Sequence, residues 1–67
     1  PAIWYNLALV QYRQGKYQQS ENTAKRSLSL TSSGSGLYSA NWKLIAEARR
    51  RLGDRIGAQQ ALERAGR

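Results

Sequence analysis

Two short stretches, RQGKYQQS (Arg13 to Ser20) and RLGDRIGA (Arg51 to Ala58), stand 38 residues apart in a chain of 67. The correspondence spreads outward from their glycines, Gly15 and Gly53. Trp4 matches Trp42, Leu7 matches Ile45, Ala8 matches Ala46, and Ser20 and Ser27 match the small residues Ala58 and Ala65. A chain of this length makes one small domain and buries only about 60% of the surface its unfolded form exposes. Half of it cannot bury its own apolar surface. The repeat therefore predicts two copies of one unit that stack on each other.

Periodicity says what the unit is. Over AIWYNLALVQYRQ (Ala2 to Gln14), Trp4, Leu7, Ala8 and Gln11 recur at i, i+3, i+4 and i+7, which predicts a helix ended by Gly15. A second helix is expected from about Gln18 to Leu30, carrying Ala24, Ser27 and Leu28. TSSGSG (Thr31 to Gly36) reads as a flexible polar linker. A third helix is expected from Leu37 to Leu52, with Ala40, Leu44, Ala48 and Leu52 on one face and Trp42, Ile45 and Ala46 beside it. Gly53 stops it. The fourth, Arg55 to Ala65, carries Ile56, Ala58, Ala61, Leu62 and Ala65 as its apolar stripe, before the breaker Gly66. No segment alternates at period two, so the expected class is all-α, with two antiparallel helical hairpins. The small residues Ala8 and Ser20 are expected where helices cross closely, and Gly15 is expected at positive φ.

Composition removes whole classes of function. The chain has no Cys and no His, so disulfides, the usual zinc sites and imidazole bases are absent, and no cofactor or metal is expected. Glu21, Glu47, Asp54 and Glu63 are its only carboxylate side chains, scattered without a nucleophile motif, and the glycines of SSGSG lack the spacing and lysine of a phosphate loop. No catalytic residue is expected. No apolar run approaches the ~20 residues of a membrane span. The chain begins at Pro1 and lacks Met, which predicts an excised fragment. Absence of Cys is compatible with cytosol or periplasm alike.

With these residues in place, the chain resembles the tetratricopeptide repeat family. Trp4, Leu7, Ala8, Tyr12, Gly15, Tyr17, Ser20, Ser27 and Leu28 resemble its W-x2-L-G-x2-Y core and later small positions, with Tyr12 one residue beyond the place of the core tyrosine. Ala8 replaces the family glycine, Ala24 its large residue, and Ser32 its closing proline; in the second copy Arg55 stands where Tyr17 stood. The resemblance implies an α-α superhelix (solenoid) fragment. It divides the single domain 1–67 into repeat one (1–32), a linker (31–36) and repeat two (37–67). It also implies a noncatalytic scaffold that binds a peptide on the concave face formed by the first helix of each hairpin. Carried over, that face is Tyr5, Leu9, Tyr12 and Arg13 in the first copy and Ala40, Lys43, Glu47, Arg50 and Arg51 in the second. The aromatic and aliphatic groups would grip the segment, and the cations would attract an acidic side chain or a terminal carboxylate.

Three other readings compete with this one. Lys43, Glu47 and Arg51 are spaced i, i+4, as are Arg50 and Asp54, so ion pairs on a solvated face also explain these residue types. A formal charge of +7 and the run Arg49 to Arg51 suggest nucleic acid, but three consecutive arginines fan around a helix and form no single stripe. The first helix is apolar nearly all round, which predicts a neighbour over Ile3 and Val10: preceding repeats or a second copy in a homodimer. The fourth shows Arg55, Gln59, Gln60, Glu63 and Arg64 outward, as a terminal capping helix does, so the last two repeats of a longer array are expected. Trp4, Trp42 and Tyr17 are expected in packing, while Tyr38 has no assignment.

Overall fold

The computed structural model describes residues 2–66; Pro1 and Arg67, the two ends of the expected domain, lie outside the described residues. The chain forms α1 (Ala2–Arg13), α2 (Tyr17–Ser29), α3 (Gly36–Arg51) and α4 (Arg55–Ala65), and no strand occurs among the described residues. The protein is all-α. Each expected boundary holds to within one residue, and that of the fourth helix holds at both ends.

The turns after α1 and α3 are built alike. Gly15 and Gly53 have φ of 81° and 85°, the left-handed region that costs a side chain about 1–2 kcal/mol. At the first, Gly15 N–H donates to Tyr12 O at 3.0 Å and Lys16 N–H to Gln11 O at 2.9 Å. At the second, Gly53 N–H donates to Arg50 O at 3.1 Å and Asp54 N–H to Arg49 O at 2.8 Å. These paired bonds satisfy the last carbonyls of each helix. The linker is less loose than its composition suggests. Ser35 caps α3 by accepting Tyr38 N–H at 3.2 Å, and Gly36 is already helical. Asp54 caps α4 through Gly57 N–H at 2.8 Å.

Consecutive helices run antiparallel, as the contacts at their two ends show. Tyr12 meets Tyr17 while Trp4 meets Arg26; Glu21 meets Arg49 while Ser27 meets Asn41; Arg49 meets Gly57 while Ser39 meets Ala65. α3 packs on both α2 and α4 and touches α1 more lightly, whereas α2 and α4 do not approach each other. The result is a flat body of 28 × 23 × 14 Å. Its core is Ala8, Ala24, Leu44, Ile45, Ala46 and Ala61, with Tyr5, Leu9, Tyr12, Leu28 and Trp42 packed around it. Alanines dominate because the helices approach closely. Ser20 fits the same purpose: fully buried, it donates to Ala8 O at 2.7 Å.

Several expected core positions face solvent instead. Leu7 and Leu52 are exposed, as are Ile56 and Leu62, whereas Ala58, Ala61 and Ala65 are buried. The stripe of α4 that meets α3 is its alanine stripe, since only small side chains permit that approach; the larger Ile56 and Leu62 fall outside it. Trp4 and Trp42 are half-buried and each lies under an arginine, Arg26 at 4.9 Å and Arg64 at 5.1 Å from the ring centroid. These two pairs are also 38 residues apart, since 42 − 4 and 64 − 26 agree. Tyr38 meets Trp42 edge-on at 6.4 Å.

Candidate functional site

α1 and α3 bring Tyr12 and Arg51 together. The Arg51 Nε donates to Tyr12 Oη at 3.2 Å, and its guanidinium carbon stands 5.9 Å from the ring centroid. Tyr17 meets the same ring at 5.3 Å with the planes 63° apart, so one phenol is held between an aromatic edge and a cation. The hydrogen bond to Tyr12, then charge on Tyr12, Tyr17 and Glu47, pushes the Arg51 pKa above its ordinary value. Arg51 remains a cation at any workable pH.

The remaining face residues divide into packed and free groups. Tyr5 and Leu9 are half-buried against the core, so packing accounts for a large part of each side chain. Glu47 accepts from Arg50 at 2.9 Å, three residues on, and forms no pair with Lys43. Asp54 likewise pairs with the backbone of α4 and not with Arg50. Arg13 and Lys43 are exposed and make no ion pair or side-chain hydrogen bond among the described residues. The face thus offers a half-buried aromatic and aliphatic strip bordered by two free and two loosely held cations. Among the described residues no group of three metal-ligating side chains converges.

The Arg49 to Arg51 run does not act as a unit. Arg49 turns inward, with Nε donating to Glu21 Oε2 at 3.1 Å and Nη1 to Gly57 O at 3.0 Å, while Arg50 and Arg51 go to Glu47 and Tyr12. Glu21 is buried and also receives Lys25 Nζ at 3.1 Å. Sequence reasoning missed this link between α2, α3 and α4. The spacing of Glu21 and Arg49 carries no local signal.

Two open grooves flank α4. One, of about 640 Å³, is lined by Trp42, Arg49, Gln60, Glu63 and Arg64. The other, of about 570 Å³, is lined by Arg50, Arg51, Arg55, Ala58, Gln59 and Leu62, so it adjoins the α1–α3 face at Arg50 and Arg51. Comparison with family models, curated proteins and solved structures returns no match.

Proposed function

We propose that this chain is a noncatalytic protein-interaction module of tetratricopeptide type. Two helical hairpins form a piece of a solenoid, and the face of α1 and α3 binds a peptide segment with acidic character. The observation that carries this reading is the Tyr12–Arg51 contact across the two helices, together with the exposed cations Arg13 on α1 and Lys43 on α3. A half-exposed aromatic strip supplies contact area, and cations at its border select the sign of the ligand. Phosphate-backbone binding through Arg49 to Arg51 is disfavoured, because their guanidiniums engage three separate partners.

The test is an NMR titration of the labelled chain with an acidic peptide, in free-carboxylate and amidated forms, at two salt concentrations. Saturating shifts at Tyr5, Leu9, Tyr12, Lys43 and Arg50 are expected, weakened about tenfold by Lys43→Glu. Loss on amidation identifies capture of a terminal carboxylate. Diffuse shifts that never saturate and vanish with salt overturn the reading.

A homodimer is a second reading. It rests on the exposed stripe Ile3, Leu7 and Val10, spaced i, i+4, i+7 along α1.

A further inference from the structure

The groove beside Leu62 has a counterpart within the same molecule. Subtracting 38 from Arg50, Arg51, Arg55, Ala58, Gln59 and Leu62 gives Tyr12, Arg13, Tyr17, Ser20, Glu21 and Ala24. On that earlier surface, Ser20, Glu21 and Ala24 are buried, and α3 is the helix packed against α2. α3 supplies Leu44 and Ile45 to the shared core, Arg49 to Glu21 and Arg51 to Tyr12. The later groove lacks such a cover: Leu62 is 47% exposed where its counterpart Ala24 is 0%.

We propose that this groove docks an amphipathic helix of a partner protein, and that the helix is acidic. Its shape follows from the counterpart, which receives a helix whose apolar stripe is flanked by charged groups. Its charge follows from the differences between the two surfaces. Where α3 met Glu21 and two tyrosines, the incoming helix meets Gln59 and two arginines, Arg50 and Arg55, with Arg51 beside them. The sign of the complementary charge is therefore reversed. A carboxylate at the place of Arg51 on such a helix reaches the guanidinium of Arg50, where α3 met Tyr12, and one at the place of Arg49 meets the Gln59 amide, where α3 met Glu21. Arg55 makes no ion pair or side-chain hydrogen bond among the described residues. The contacts of Arg50 and Arg51 are solvent-exposed and exchangeable.

A second copy of this chain is the wrong occupant. Its exposed apolar stripe, Ile3, Leu7 and Val10, lies on α1, and the α1 positions matching Arg49 and Arg51 are Gln11 and Arg13. Arg13 would enter a groove of like charge, between molecules that each carry +7. The groove shares Arg50 and Arg51 with the α1–α3 face but is centred on Arg55, Gln59 and Leu62, so the two proposals stand separately.

The test uses two synthetic peptides of the α3 sequence, residues 36–51, one unaltered and one with glutamate in place of Arg49 and Arg51. Each is titrated into the labelled 67-residue chain. Saturable shifts centred on Arg55, Gln59 and Leu62 are expected for the acidic peptide, with affinity at least about tenfold above the unaltered one. The double variant Arg55→Glu, Gln59→Glu is expected to lose at least about tenfold in affinity for it, with helix content and melting temperature unchanged, because both side chains are exposed. Lys43→Glu is expected to leave it unchanged. Equal affinity for the two peptides overturns the proposal. So do shifts centred on Tyr5 and Leu9, or concentration-dependent shifts at Leu62 and Ile3 without peptide, which would mark a second copy.

Discussion

Ile45 belongs to the core and is fully buried, whereas its repeat counterpart Leu7 is 42% exposed. Truncation at the two sites should therefore differ sharply. Ile45→Ala is expected to cost about 2–4 kcal/mol, the loss for a buried aliphatic side chain plus the cavity it leaves. Leu7→Ala should stay within about 1 kcal/mol. Urea unfolding of both variants checks this, and similar losses would mean that α1 is covered where it is read as open. Glu21 offers a second residue-level test. It is buried and receives both Arg49 and Lys25, so Glu21→Gln should cost about 1–3 kcal/mol. Lys25→Ala removes only its half-exposed partner and should cost about 0–1 kcal/mol. A ranking in the opposite order would show that Lys25, not Arg49, holds the carboxylate.

Helix boundaries in this chain rest on a few short-range devices. At φ of 81° and 85°, Gly15 and Gly53 permit the hydrogen bonds that close α1 and α3. An alanine finds open space at both positions, so its cost is conformational and not steric. Gly15→Ala and Gly53→Ala are each expected to lose about 1–2 kcal/mol, read as a lower urea midpoint. Losses below about 0.5 kcal/mol would show that the turns tolerate another conformation. Asp54 caps α4, whereas its counterpart Lys16 makes no side-chain cap at α2. The start of α2 is held instead by Tyr17 against Tyr12 and by Ser20 against Ala8. Tertiary contact thus does for one helix what a local cap does for the other.

At the scale of the whole molecule, the 38-residue correspondence leaves two unequal surfaces. α3 is covered on both flanks, but α1 packs on α2 and touches α3 only lightly, and leaves Ile3, Leu7 and Val10 exposed. Three side chains fall well short of the roughly 800 Å² per partner of a stable interface. A weak, concentration-dependent dimer through α1 is expected, with a melting temperature that rises between micromolar and millimolar chain. Ile3→Lys with Val10→Lys should abolish the concentration dependence and leave the helix content intact. A monomeric mass with constant melting temperature in the unaltered chain would refute the dimer.

The sequence determined by itself what local chemistry can encode. Helical period, glycine stops and the absence of alternating segments were enough for four helices with nearly correct ends, and the repeat located the close crossing of Ala8 with Ser20. Ile3 and Val10, for which a neighbour was expected, are exposed. The tertiary structure alone decided which apolar residues lie inside. Leu7 and Ile45 occupy equivalent places in equivalent helices, yet only Ile45 is covered, because burial depends on which neighbour a face has and not on the residue carrying it. The same holds for the candidate faces. Arg50 and Arg51 were visible in sequence as cations, but Arg55, Gln59 and Leu62 become a groove with them only when α4 folds back along α3. Arg49 and Glu21, 28 residues apart, reach each other only across the α2–α3 packing. Such pairings depend on distances that no local pattern specifies, and they are fixed only when the helices settle against a common core.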